Sequence, residues 1–269
     1  MTSLLGKALL IITACTTVLL SPAAAQAPGE TVVYSRIANW QIARPNWDAY
    51  TADLKKNTIP VLDKLLADGV LTEYGVASAT IHTPDGYTHT TWYSSKTIAG
   101  LEKALGAILE ADKKLPPAER RRGDTDFAGT KHADQLVRSR IVSGKTTTLT
   151  SGYITVGIDQ VQPGKDLAYN DRVEKLLKPI MAPLAASGAV VSYGIDTEFI
   201  HTGDAMMRSR WYIVPNADGL DKVASTVKSY MDGLSPADRE AFEKSSQEVL
   251  VGSAHRDELY EIIAYASKY

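Results

Sequence analysis

The chain has 269 residues, 44% of them hydrophobic and 22% charged, a profile that excludes a largely disordered polymer and supplies enough apolar material for one or two cores. Its formal net charge of -2 and pI of about 6.2 give no electrostatic basis for binding nucleic acid or anionic membrane surfaces, leaving small molecules and proteins as partners.

Residues 1–25 read as a secretory signal peptide. Lys7 precedes an apolar run over 8–20, and the small residues Ala23, Ala24 and Ala25 precede Gln26, so cleavage is expected after Ala25 and the mature protein is expected in the periplasm or outside the cell. Thr13, Thr16 and Thr17 interrupt the run, which is shorter than the ~20 residues of a spanning helix, so no membrane span is expected after signal removal. Cys15 is the only cysteine and lies inside this segment, which excludes thiol catalysis and intramolecular disulfides from the mature chain. Residues 12–15 are also similar to a lipoprotein box, but 16–20 continue apolar where a lipoprotein usually turns polar.

The rest of the chain registers on itself at a constant offset of 119 residues. Tyr34 falls on Tyr153, Tyr50 on Tyr169, Pro60 on Pro179, Gly69 on Gly188, and Tyr74 and Gly75 on Tyr193 and Gly194. Farther along, His82 falls on His201, Trp92 and Tyr93 on Trp211 and Tyr212, and Pro117 on Pro236. Near the end the offset grows by four, so that His132 and Asp134 match His255 and Asp257.

Each half carries the same periodicities. Residues 32–40 and 152–159 read as strands, and 47–67 and 166–186 as helices ended by Gly69 and Gly188. Two strands follow in each half, over 71–82 and 88–94 and over 190–201 and 206–214. A helix is expected over 97–114 and over 219–234, then a short one, opened in the second half by Ser235 and Pro236. The last strands are 135–142 and 258–265. The order strand, helix, strand, strand, helix, strand is the ferredoxin-like arrangement, expected once over 31–145 and again over 151–269.

With this duplication the chain resembles the dimeric α+β barrel superfamily, whose members set two such units with their antiparallel sheets facing. The resemblance implies an α+β fold, a pseudo-dimeric barrel within one chain, and a duplication that replaces homodimerisation. Superfamily members include haem-degrading and quinone-forming monooxygenases, lactone isomerases and haem-dependent chlorite-decomposing enzymes, so it implies a scaffold more than a reaction.

Strand alternation separates two faces. One, with Ile154, Val156, Ile158, Val137 and Ile141, is apolar and is expected to meet the helices, as are Trp92 and Trp211. The other carries Arg36, Arg138, Arg140, His89 and Tyr93 in the first half, and Asp159, Asp196, Glu198, Arg208, Arg210, Tyr212 and Glu261 in the second. It reads either as a polar pocket between the sheets or as ion pairs stitching them together, and the need of buried charges for partners favours the pairs.

The topology gathers His82, His89 and His132 at one sheet end in the first half, and His201, Arg208 and His255 at that end in the second. These six residues are the candidate ligand-binding set. A metal is not expected there, because strand spacing and alternation keep the imidazoles apart and place His82 and His89 on opposite faces. Phosphate-cradling loops, haem-attachment pairs, zinc signatures and nucleophile elbows are absent from the sequence, and no cofactor is identified. Two functions of different class fit. One is a non-catalytic exported protein that binds a small polar or aromatic ligand, or a protein partner, at the barrel rim. The other, drawn from the resemblance, is a cofactor-free or haem-associated oxidoreductase or isomerase whose rim histidine or arginine handles protons and oxyanions.

Overall fold

The extended stretch that opens the first half becomes β1 (Thr31–Gln41). The computed structural model describes residues 31–82, 86–122, 131–200 and 206–269; the expected signal segment and His201 lie outside these. After β1 come α1 (Trp47–Asp53), a π-helical turn over Leu54–Thr58 and α2 (Ile59–Ala67). The single long helix expected here is therefore interrupted. Pro60 has no N–H to offer the carbonyl of Lys56, so the hydrogen-bond ladder must widen at this point. Next are β2 (Glu73–Ala79), β3 (His89–Ser95), α3 (Ile98–Lys113), α4 (Pro117–Arg122) and β4 (Lys131–Gly144).

The second half follows a short strand, β5 (Thr147–Leu149), that the sequence did not announce. Its elements are β6 (Tyr153–Gln160), α5 (Asp166–Ser187), β7 (Ser192–Glu198), β8 (Met207–Val214), α6 (Ala217–Asp232), α7 (Pro236–Val249) and β9 (Arg256–Ser267). Gly188 ends α5 with φ +78°, and Gly69 follows α2 with φ +73°, a backbone conformation that glycine adopts without strain. Side chains of Thr97, Asn216 and Ser235 cap α3, α6 and α7 by accepting from the N–H groups of Gly100, Gly219 and Asp238. The last of these helices, expected to be short, has 14 residues.

All strands are antiparallel, in the order β2-β3-β1-β4-β7-β8-β6-β9, and a further β2–β9 pairing closes the eight into a barrel, with β5 alongside β9. The strands of the two halves thus meet edge to edge at two seams, β4–β7 and β2–β9, which leaves no free edge among the eight. The helices pack on the outside. Among the described residues no helix is long and apolar enough to cross a membrane.

The inside and outside of the barrel are the reverse of the expectation. Ile154, Val156, Ile158 and Val137 point into the lumen, whereas Tyr169, Val173, Leu177, Ile180 and Leu184 of α5 pack on the outer face of the second half, as Leu62, Leu65 and Leu66 of α2 do on the first. Trp92 and Trp211 are also lumenal, not helix-facing. A closed barrel gives its most water-excluded volume to its own interior, so the apolar face goes there and the charged face lies outward, where long side chains reach water. Asp196 and Glu198 depart from the charged set and face the lumen. The outer charges pair: Arg36 with Asp134 at 2.5 Å, and Arg140 with Glu174 of α5.

Glycines make room for the two indoles. A Cβ on Gly75 would lie 2.0 Å from the Trp92 ring, and one on Gly194 would lie 2.7 Å from that of Trp211. In each case the glycine is the cross-strand partner of the tryptophan, which accounts for the recurrence of both types at the 119-residue offset.

Candidate functional site

A cavity of about 710 Å³ lies between the outer sheet face of the second half and helices α5, α6 and α7. Most of its wall is apolar, from Val173, Leu176, Ile180, Val223, Val227 and Phe242. Its polar end is built by strand residues in register: Asp159 ends β6 opposite Arg208, Gly157 is flanked by Arg210 on β8 and Asp257 on β9, and His255 immediately precedes β9.

Asp159 is the hub. It is 4% exposed, and its carboxylate accepts from the Tyr169 hydroxyl at 3.1 Å and from the Arg210 guanidinium, and meets His255 Nδ1 at 2.9 Å. The other ring nitrogen of His255, Nε2, lies 3.3 Å from Asp257, which is also 3.9 Å from Arg210. Burial and the Asp159 charge hold the Tyr169 hydroxyl well above the ordinary phenol range. Burial opposes the charge on Arg210, but Asp159, Tyr169 and Asp257 together outweigh it and raise the Arg210 pKa. Gly157 leaves the space Arg210 needs, since a Cβ there would approach the guanidinium carbon to 2.8 Å.

Arg172, one turn along α5 from Tyr169, also lines the cavity. It stacks over the Phe242 ring at 4.2 Å and donates to the Phe242 carbonyl at 3.4 Å, and among the described residues no carboxylate pairs with it. Burial lowers its pKa, the expected response of a cation held without a close counter-charge.

Of the candidate ligand-binding set His82, His89, His132, Arg208 and His255, only His255 lines this cavity; Asp159, Arg210 and Tyr212 of the charged face line it as well. Arg208 is 8% exposed and closes against Asp166, at the start of α5, and its own chain neighbour's carbonyl. His89 is buried under Trp47 and Tyr50 with Nδ1 on the Thr88 hydroxyl; desolvation, and then the neighbouring His82, push it down to about 4. His82 is exposed and also touches Trp47, at 4.6 Å, so the expectation that it opposes His89 fails. It lies beyond the end of β2, where alternation no longer sets direction. His132 stacks on Trp40 at 3.7 Å with Asp134 at 3.2 Å. These residues share one end of the barrel but converge on no common point, and among the described residues no group of three or more His, Cys, Asp or Glu could hold a metal ion.

The halves differ at their matched positions. Trp40 occupies in the first half the place of Asp159 in the second, and Thr91 that of Arg210. The first half therefore has a stacked Trp40–His132 pair where the second has a His255–Asp159 dyad. The site residues missed from sequence are Tyr169, Arg172 and Asp257; Tyr169 and Asp257 are repeated in the first half as Tyr50 and Asp134, so nothing in the repeat marks them, and Arg172 is legible only once α5 is seen to lie over the sheet.

An eight-stranded antiparallel barrel with helices outside is a dimeric α+β barrel, here supplied by one chain. Solved structures share the fold. A candidate monooxygenase from Fusobacterium nucleatum matches with a TM-score of 0.59 at 9% identity, over 88% of this chain and 95% of its own. Another from Lactobacillus acidophilus matches with a TM-score of 0.51 at 10% identity, over 88% and 97%. No family model matches the chain, and no curated protein matches it.

Haem, used by some proteins of this fold class, needs an axial donor. The cavity's one imidazole has both nitrogens against carboxylates, the Tyr169 hydroxyl is bound to Asp159, and Met181 is buried in the apolar cluster. With Asp257 where it stands, no open axial donor faces the cavity; His255 Nε2 would reach a haem iron only with Asp257 displaced.

Proposed function

We propose that this protein is a cofactor-free oxidoreductase or isomerase that removes a proton from an aromatic, largely apolar substrate bearing one carbonyl or hydroxyl oxygen. The observation that carries this reading is that one apolar cavity is lined both by a His255–Asp159 dyad and by Arg172, a cation without a carboxylate partner among the described residues. The substrate's ring system fills the apolar wall, and Arg172 stabilises the oxyanion that develops as the C–H or O–H proton leaves. His255 takes the proton at Nε2 once the exposed Asp257 turns aside, while Asp159 holds Nδ1–H and fixes the ring. The resulting carbanion or phenolate is reprotonated elsewhere, an isomerisation, or the carbanion carbon adds dioxygen and takes up a proton to form a hydroperoxide, which loses water to leave a carbonyl. The monooxygenase descriptions of the two similar structures are compatible with the second course.

In the same reading the chain is a duplicated ferredoxin-like unit, over 31–145 and 151–269. The duplication takes the place of homodimerisation and frees one half to lose the dyad. Residues 1–25 direct export and are removed. The competing function, a non-catalytic carrier, uses the same cavity without proton transfer.

Anthrone, a tricyclic ketone with an acidic methylene, tests the proposal: hydrogen exchange at that methylene and dioxygen uptake are followed with the parent and with His255→Gln. General-base catalysis predicts a loss of about 10²-fold or more in the variant. Equal rates in both proteins would refute the base. Binding with no exchange and no oxygen uptake would leave the carrier.

A further inference from the structure

The barrel lumen encloses a second cavity, of about 400 Å³, separate from the one between sheet and helices. Its deep end contains two buried carboxyls, Glu73 at 2% and Asp196 at 7% exposure. A line of hydroxyls joins them across five consecutive strands. Ser94 lies 3.0 Å from Glu73, Ser35 lies 2.7 Å from Ser94, and Ser139 lies 2.8 Å from Ser35. Ser139 in turn is the cross-strand partner of Asp196 and hydrogen-bonds its carboxyl.

This line has four hydrogen bonds and only three hydroxyl protons. Each serine donates once, so the fourth proton must come from a carboxyl. The complete network therefore holds one acid protonated and the other ionised, and reversing the three hydroxyls passes the proton from one end to the other. Burial acts in the same direction, raising Glu73 to about 7 and Asp196 to about 6. The remaining partners are neutral donors, Tyr265 on Glu73 and Trp211 Nε1 on Asp196, each at 3.1 Å, with the Tyr269 hydroxyl also against Glu73. Among the described residues no cation pairs with either acid. One negative charge is thus buried without a counter-charge, in a cavity also lined by Trp92 and Trp211.

We infer that the lumen is a binding site for a small organic monocation, a primary amine with an apolar or aromatic body, whose ammonium neutralises the Glu73–Asp196 pair while its body rests against the two indoles. Carboxylate and indole faces both favour ammonium over a neutral group. Entry is from the end where Asn39, Gln135 and Arg256 line the cavity, since Arg256 there is 59% exposed, while at the other end Tyr265 is fully buried. This site is independent of the His255 cavity and of the function proposed for it.

The test uses 2-phenylethylammonium against neutral 2-phenylethanol, with calorimetric titration and thermal melting of the full chain near pH 7.5. The ammonium should bind and raise the Tm, and the alcohol should bind at least tenfold more weakly. Each single amide, Glu73→Gln or Asp196→Asn, leaves one carboxylate ionised and should still bind the ammonium; affinity should fall at least tenfold in the double variant, where no charge remains, and should be unchanged in His255→Gln. If the double variant does not fold, the comparison of ammonium with alcohol on the parent serves. No binding at millimolar ammonium, equal affinity for the alcohol, unchanged affinity in the folded double variant, or loss in His255→Gln would each overturn the assignment.

Discussion

Replacing Asp159 by Asn removes the charge on which Tyr169, Arg210 and His255 converge, at a carboxyl whose side chain is 5% exposed. Breaking a buried pair from one side costs ~3–5 kcal/mol, because the other charge is left behind. Arg210 keeps 30% of its side-chain surface in water and retains Asp257 at 3.9 Å, which places the loss at the low end, about 3 kcal/mol. At ~2–4 °C per kcal/mol for a chain of this size, the Tm should fall by roughly 6–12 °C, as read by calorimetry or circular dichroism at neutral pH. A second variant, Asp159→Asn with Arg210→Met, separates lost attraction from the stranded cation. It should recover much of the loss, since an apolar side chain of similar length removes the uncompensated charge. A single variant within about 1 kcal/mol of the parent, or a double variant no more stable than the single, would refute the account of Asp159 as the hub of a charge network.

Between pH 4.5 and about 7 for Glu73, and 3.8 and about 6 for Asp196, the folded protein keeps protons that the unfolded chain has released, so stability should fall as pH rises through these windows. The Glu73 contribution is about 3 kcal/mol, and denaturant titrations across pH should show Glu73→Gln flattening that decline. His89 acts in the opposite sense: its folded value of about 4 lies below the ordinary 6.5, so the unfolded chain gains protons first and stability should fall as pH drops from 6.5 toward 4, a slope that His89→Phe should remove. In Gly75→Ala, the new Cβ collides with the Trp92 ring, and the cost should be ~1–3 kcal/mol with a shifted tryptophan emission; no change in either would contradict the lumenal placement of Trp92.

The element order and the eight barrel strands were legible because period-2 and period-3.6 patterning recurred at one offset, so each half checked the other. Which face looked inward was not. Alternation partitions Ile154, Val156 and Ile158 from Asp159 and Arg210, but a sheet's two faces are equivalent until closure decides which one loses water. Asp196 broke the partition because it was grouped by charge with residues that turn outward, whereas it keeps the expected place between the sheets through Ser139 and Trp211 Nε1, lumenal donors that no linear pattern places beside it. Among the histidines, shared placement at one end was readable from topology, but convergence was not: the Trp40–His132 stack and the His255–Asp159 pair descend from matched positions with unlike neighbours. The cavity itself depended on α5 lying over β6, a packing relation between elements that alternation within either cannot report.

The seam between β2 and β9 sets the order in which the molecule can be completed. Glu73 finds its partner at Ser267, and Ala79 finds its own at Tyr260. The strand that covers the β2 edge is the last of the eight in chain order, so the first half can form its sheet early while that edge stays bare until β9 joins it. β9 also supplies the partner of β6 and lines the lumen with Glu258 and Tyr260. Closure is therefore a late, long-range event of the kind that slows folding and prolongs the exposure of an adhesive strand edge. A chain lacking β9 would lose the whole of that seam, so the fate of β2 is governed by a strand almost two hundred residues away in sequence.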